Sequence, residues 1–168
     1  MSRERRNPRG KREKPEFEQK LLDLARVTRV VKGGRRFRFR ATLAIGDRKG
    51  RVGVGVAKGS DVSDAIAKAY ASAQKTLVRV IMEEGTIPHD ISKKLGSAKI
   101  LLKSAPEGRG LIAGGTVRTI VELAGIRNIV SKSLGTSNKI NVARATVMAL
   151  SELKASPEKV AKPEDKQA

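Results

Sequence analysis

Three sets of residues have types and spacings that could do chemistry. Gly53-Val54-Gly55, and Gly108-Arg109-Gly110 followed by Gly114-Gly115-Thr116, have the look of glycine loops that cradle phosphate groups. Neither makes a convincing nucleotide site. The first has no Lys-Ser/Thr after its last glycine and lies inside a hairpin, where tight packing or close approach of an RNA backbone explains the glycines. The second opens a helix, so an anion there is physically reasonable, but no acidic metal ligands or base cluster accompany it. His89 is the single imidazole, and the chain has no cysteine, which removes thiol nucleophiles, disulfides and zinc knuckles. His89 follows Pro88 at the expected start of a strand and reads as a surface residue. The acids are accounted for by helix starts (Asp61, Asp64), turns (Asp47, Glu83, Glu84, Glu107) or tails, and no carboxylate pair suited to acid–base work emerges. No enzyme activity, metal or cofactor is expected.

The third set is basic. Arg36, Arg38 and Arg40 alternate with Phe37, Phe39 and Ala41, so one face of an extended segment carries guanidinium groups. The whole chain, 168 residues, has 36 Lys+Arg against 17 Asp+Glu, a net charge of +19. Solubility alone calls for a charge of only ~2–8 in a small domain. The natural complement of such an excess is a polyanion, and nucleic acid is the densest one in a cell. Most of the excess sits early: residues 1–60 carry 19 basic and 6 acidic side chains, and residues 61–150 carry 13 and 7. No apolar run approaches the ~18 residues of a membrane span, and no basic amphipathic helix suggests a membrane surface, so no membrane partner is expected. The chain reads as soluble and intracellular.

The elements that must position these residues divide the chain in four. Residues 1–15, with seven Lys/Arg and no large apolar residue after Met1, read as a disordered basic arm. Residues 16–82 read as three strands and a helix: a strand ending near Val31, the flexible basic loop Lys32-Gly33-Gly34-Arg35, the alternating strand, the turn Gly46–Gly50, and a strand Arg51–Val56. That turn makes a hairpin tipped with two cations, Arg48 and Lys49. The helix is expected to be capped by Ser60, with Val62, Ile66, Ala69, Ala73, Leu77 and Val80 at helical spacing. Phe37, Phe39, Ala41, Leu43 and Ile45 are expected to face this helix as core, in preference to stacking on bases. Residues 83–154 follow the turn Glu83-Glu84-Gly85 as a second α/β unit: strands Thr86–Leu95 and Ala98–Lys103, the loop Pro106–Gly110, helix Thr116–Ala124 closed by Gly125, strand Ile126–Lys132, and a helix Lys139–Leu153 capped by Asn138. Residues 155–168 read as a disordered tail. The class is α+β.

Several spaced motifs in this order resemble one family, the fifth protein of the bacterial small ribosomal subunit (uS-five), over about residues 16–153. They are Val31-Lys32-Gly33-Gly34-Arg35, Phe39-Arg40-Ala41, Gly46-Asp47-Arg48-Lys49-Gly50-Arg51-Val52-Gly53, Ala65-Ile66-Ala67-Lys68-Ala69, Gly108 to Gly115, and Asn141-Val142-Ala143-Arg144-Ala145-Thr146. The resemblance implies an N-terminal module like a double-stranded RNA-binding domain and a C-terminal α/β module of the family's own fold. It implies a structural constituent of the small subunit that binds its rRNA between head and body, lies near the mRNA entrance channel and influences decoding accuracy. It places the loop Lys32-Gly33-Gly34 near the neck helix of the rRNA and the spectinomycin site. Gly108, Arg109, Gly110 and Arg118 would face ribosomal protein four, with ribosomal protein eight a second neighbour. One departure matters: ordinary duplex binders open this helix with lysines, whereas here Asp61 and Asp64 open it. Phosphate contacts are therefore expected from Lys32, Gly33, Gly34, Arg35, Arg36, Arg38, Arg40, Arg48, Lys49, Arg51 and Lys58, reading the shape of a folded junction. The alternatives are a free RNA chaperone or DNA-binding protein using the same charge, and an enzyme built on the second unit with a nucleotide at Gly114-Gly115.

Overall fold

A computed structural model describes residues 16–154. The expected arm, 1–15, and tail, 155–168, lie outside the described residues. The first sheet is antiparallel in the order β1 (Glu18–Val31), β2 (Gly34–Gly46), β3 (Arg51–Gly59), β4 (Val78–Arg79). Helix α1 (Val62–Lys75) lies on one face through Ala65, Ala69 and Ala73, against buried Ala41, Leu43 and Ile45. The fit is close enough that a Cβ at Gly55 would sit 2.1 Å from the Ala69 carbonyl oxygen. The strand glycines thus serve tight packing, and it is the helix backbone that they admit.

The second sheet has the order β5 (Ile91–Leu95), β6 (Ala98–Ser104), β8 (Ile129–Leu134), β7 (Leu111–Ile112), with β7 parallel to β8 and the other pairs antiparallel. Helices α2 (Gly115–Ala124) and α3 (Lys139–Ser151) bury their apolar stripes, including Ile120, Leu123, Ala145 and Leu150, with Ile100 and Leu102 of the sheet. Asn138 caps α3, its side chain accepting from the Ile140 N–H at 3.0 Å. The same core takes in Ala44, Val52 and Val80 from the first half of the chain.

Several sequence expectations are corrected. Asp61, not Ser60, is the N-cap of α1; the Asp64 carboxylate reaches back to accept from the Ser60 N–H. The helix stops at Lys75 instead of continuing to Val80, because the Thr76 hydroxyl donates to the carbonyls of Val54 and Ala73, and the chain then pairs with Arg51–Val52 as β4. The strand expected from Thr86 begins at Ile91, since Glu83 and Thr86 pair with each other in a tight turn. The strand expected from Ile126 begins at Ile129, since the Arg127 and Asn128 N–H groups both turn to the Gly85 carbonyl. Helix α3 ends at Ser151, and β7 was not anticipated.

Two corrections concern the alternating strand. The face of β2 opposite α1 is not uniformly open: Thr42 and Ala44 are fully buried where the second half of the chain packs on it. Phe37 is not core but 47% exposed. Helix α1, 14 residues long, spans ~21 Å, whereas the 13 residues of β2 span ~43 Å, so the helix leaves the far half of the strand bare.

Candidate nucleic-acid interface

That bare half is the site. β3 pairs with β2 only from Phe39 to Gly46. Beyond it, β1 and β2 continue alone as a two-stranded ribbon in which Arg26 to Val31 oppose Phe39 to Gly34. Between residues 26 and 38 the chain carries six Lys/Arg and no acid. Sheet pairing fixes which of them share a side. Opposite residues lie on one face, so the register puts Arg38 with Val27 and Arg36 with Arg29 on the face away from α1, and Arg40 with Lys58 continues that face onto β3. There Arg29, Arg36, Arg38 and Lys58 line one groove of about 490 Å³. None of the four is ion-paired among the described residues, so their charge is available to an outside anion. Lys32, Gly33, Gly34 and Arg35 form the exposed tip.

The other face of the ribbon holds Phe37 and Phe39, and the Arg26 guanidinium lies 3.7 Å over the Phe37 ring. Arg29 and Arg26 were missed by sequence reasoning. The alternation of Val27, Arg29 and Val31 was the signal for the first: it places Arg29 on the Arg36 side as soon as the hairpin register is known.

Arg40 belongs to this face but behaves differently. Its side chain is one-third exposed, lies 3.8 Å from the Asp23 carboxylate, and has a buried Nε with no hydrogen-bond partner. Asp23 also receives Lys139 of α3 at 3.1 Å. Arg40 therefore sits at the root of the ribbon, in a charged contact that ties β1 to α3.

The structure separates the remaining expected phosphate ligands from this group. Arg48, Lys49 and Arg51 lie at the opposite end of β2, ~26 Å along the strand from Arg38. The β2–β3 turn that carries Arg48 and Lys49 is not a free tip. Its N–H groups at Arg48 and Gly50 donate, at 2.9 Å each, to the Leu123 and Ala124 carbonyls, two of the orphan acceptors at the C-terminus of α2. Gly46 and Gly125 permit this, since a Cβ on either would come within 2.3 Å of a backbone oxygen across the junction.

The side chains there are internally matched. Arg48 donates to Glu18 at 2.7 Å and lies 4.0 Å from Glu122, and Lys20 meets Glu122 at 2.8 Å. The hydrogen bond to Glu18 raises the Arg48 pKa, and those to Asp47 and Glu16 raise that of Arg51. The hydrogen bond from Lys20 holds the Glu122 carboxyl below its ordinary value against partial burial, with Arg48 and Arg118 adding to the effect. Burial pushes the Asp47 carboxyl up, yet the net shift is downward, because the Arg51 side chain and the backbone N–H groups of Arg51 and Lys49 all donate to it. Lys49 remains exposed with no ion pair among the described residues.

Gly108, Arg109 and Gly110 lie exposed or half-exposed in the loop between β6 and β7, with Gly108 and Gly110 at φ +86° and +73°. The loop is held by the Asn128 side chain, which accepts from the Gly110 N–H at 2.9 Å. Arg118 is exposed on the first turns of α2, its N–H bonded to the Gly114 carbonyl. His89 is exposed in the loop before β5. No described helix is long and apolar enough to cross a membrane, and no cluster of three His, Cys, Asp or Glu side chains suited to a metal occurs among the described residues.

Comparison with known proteins gives two family matches: residues 17–81 match ribosomal protein S5, N-terminal domain, and residues 93–164 match ribosomal protein S5, C-terminal domain. The chain is 55% identical over 139 residues to the small ribosomal subunit protein uS5 of Campylobacter jejuni serotype O:23/36 (strain 81-176), an alignment covering 83% of this chain and 95% of the relative. The same figures hold for the proteins of that name from C. jejuni serotype O:6 (strain 81116) and strain RM1221.

Proposed function

Since this chain belongs to the ribosomal protein S5 family, we propose that it is a non-enzymatic structural component of the small ribosomal subunit, working in the cytoplasmic ribosome, that holds small-subunit rRNA with the basic β1–β2 ribbon. The observation that carries this is the unmatched charge of the ribbon. Arg29, Arg36, Arg38 and Lys58 line one groove without an acidic partner among the described residues, whereas Arg48 and Arg51 are already engaged by Glu18, Asp47 and Glu16. Phosphate contacts position a protein on RNA and make its binding salt-dependent. Lys32, Gly33, Gly34 and Arg35 then reach furthest into the rRNA, Arg40 sets the ribbon's root, and Arg48, Lys49 and Arg51 contribute a lesser field from the other end of the sheet.

The division of labour in this proposal gives residues 16–82 to rRNA and residues 83–154 to protein neighbours. Gly108, Arg109, Gly110 and Arg118 form the surface toward ribosomal protein four, with ribosomal protein eight as a further neighbour and mRNA passing nearby at its entrance channel. Through that placement the chain supports head and body conformation and translational accuracy.

The test is sedimentation of a gentle lysate in low and high salt, following the wild-type chain and an Arg29→Gln/Arg36→Gln/Arg38→Gln variant. Stoichiometric migration of the wild type with small subunits, and a shift of the variant toward the free pool, is the expected result. A wild-type peak among free proteins or with the nucleoid would instead favour an RNA chaperone or DNA-binding protein.

A further inference from the structure

The second sheet has a face that none of the described residues covers. α2 and α3 pack on the side bearing Ile100, Leu102 and Ile129. By alternation and register, the opposite side carries Lys94 of β5, Lys99 and Lys103 of β6, and Lys132 of β8, all exposed, around the partly exposed Leu101 and Val130, with the exposed Leu134 and Ile112 on the same side. None of the four strands contains an acid. The contrast with Lys93 is informative. Lys93 lies on the helix-covered side and is matched by Glu152, the C-cap of α3, at 2.5 Å, while the four outer lysines have no ion pair among the described residues.

Two of them are set against each other. Lys94 and Lys99 are directly opposite in the β5–β6 register, an arrangement that costs stability in an isolated sheet because like charges face each other at ~5 Å between Cβ atoms. An external anion between them removes that cost. Lys99 and Lys103 lie ~13 Å apart along β6, and the three strands bearing the lysines span ~10 Å. This is a strip of positive charge the width of a nucleic-acid strand, with aliphatic side chains between the cations to lie under sugars.

We propose that this face is a second RNA contact, in which Lys94, Lys99, Lys103 and Lys132 bind backbone phosphates of the rRNA. The second unit is then an RNA binder on its sheet side as well as a protein docking element on its loop and helix side. The inference rests on rRNA being the working partner of the chain, and the experiment separates the two ideas.

Full-length protein is titrated with a transcript of small-subunit rRNA, with no other protein present, between 50 and 200 mM salt. Three variants accompany it: Lys94→Gln/Lys99→Gln/Lys103→Gln/Lys132→Gln, the same four positions changed to Arg, and the ribbon variant Arg29→Gln/Arg36→Gln/Arg38→Gln. Each phosphate contact adds about 0.7–0.9 to the slope of log affinity against log salt. Loss of four contacts lowers the slope by ~3, so across this salt range the wild type loses ~10²-fold more affinity than the glutamine sheet variant. The arginine variant keeps the wild-type slope, which excludes a folding defect as the cause. A wild-type slope in the glutamine sheet variant, beside a reduced slope in the ribbon variant, overturns this proposal and leaves the ribbon assignment intact; the face then belongs to an acidic protein neighbour. A wild-type slope in both variants overturns both.

Discussion

Replacing Gly46 by alanine tests the junction on which the geometry of the whole chain depends. A Cβ at Gly46 would lie 2.3 Å from the Leu123 carbonyl oxygen and 2.7 Å from its carbon. Both belong to the backbone of the last turn of α2, so neither can rotate aside. Restoring an ordinary contact of ~3.4 Å requires the strand end and the helix to separate by ~1 Å. That separation lengthens the 2.9 Å bonds from Arg48 to Leu123 and from Gly50 to Ala124 beyond hydrogen-bonding range. Two lost bonds at ~1 kcal/mol each, with overpacking strain of ~1–3 kcal/mol partly relieved by the movement, give a net cost of ~2–4 kcal/mol. Against a typical domain stability of ~5–15 kcal/mol this is a large fraction. At ~3–4 °C per kcal/mol for a chain of this size, the melting temperature should fall by ~6–16 °C. The assay is thermal unfolding by calorimetry and circular dichroism without RNA, since bound RNA would mask the loss. Gly33→Ala is the control: no atom lies within 4 Å of its Cβ position, and its melting temperature should stay at the wild-type value. A Gly46→Ala protein melting within ~2 °C of wild type would refute the docked junction.

Two further outcomes are expected. The Asp47 carboxyl is held below its ordinary value of 3.8 in the folded chain, so its contribution to stability is complete above that value and is lost as pH falls through the lower folded one; the melting-temperature gap between wild type and Asp47→Asn should hold from pH 7 to ~5 and close in acid, and a gap unchanged at pH ~2.5 would contradict the assignment. Gly108→Asp places a charge at an exposed position with φ +86° and nothing within 4 Å of its Cβ, so the fold should survive with a cost of ~1–2 kcal/mol while misreading in a reporter assay rises; wild-type error levels would remove the proposed interface from that loop.

What the sequence revealed and what it hid follow from the range of the interactions involved. The alternation in β2, the glycine closing α2 and the asparagine capping α3 are local signals, and the structure places each where its own residues ask for it. The length of α1 was misjudged because Leu77 and Val80 continue the helical spacing, while the event that ends the helix is a hydrogen bond from Thr76 to Val54, 22 residues away. Phe37 was misplaced for a similar reason: apolar alternation says that a face is shared but not how far along the strand its cover extends. The split of the basic residues into an unmatched ribbon and a matched turn was also invisible, since Glu16, Glu18 and Glu122 reach Arg51 and Arg48 only through tertiary folding. The lysine face of the second sheet escaped notice because its four cations are scattered over 39 positions of a segment whose average charge is modest.

β2 also acts as a ruler. It is anchored at one end by the close approach of Gly46 to α2 and runs uninterrupted to the ribbon's tip at Gly34, so the number of residues in the strand sets how far the tip stands from the body. Side chains alternate strictly, so adding or removing one residue beyond Arg40 would exchange the phenylalanine and arginine faces of the outer arm. A two-residue insertion there, matched in β1, would preserve both faces and simply carry the tip ~7 Å further out. A regular arm that keeps both faces therefore changes length in steps of two residues, while at its root the close approach of Gly46 to the helix fixes the starting point.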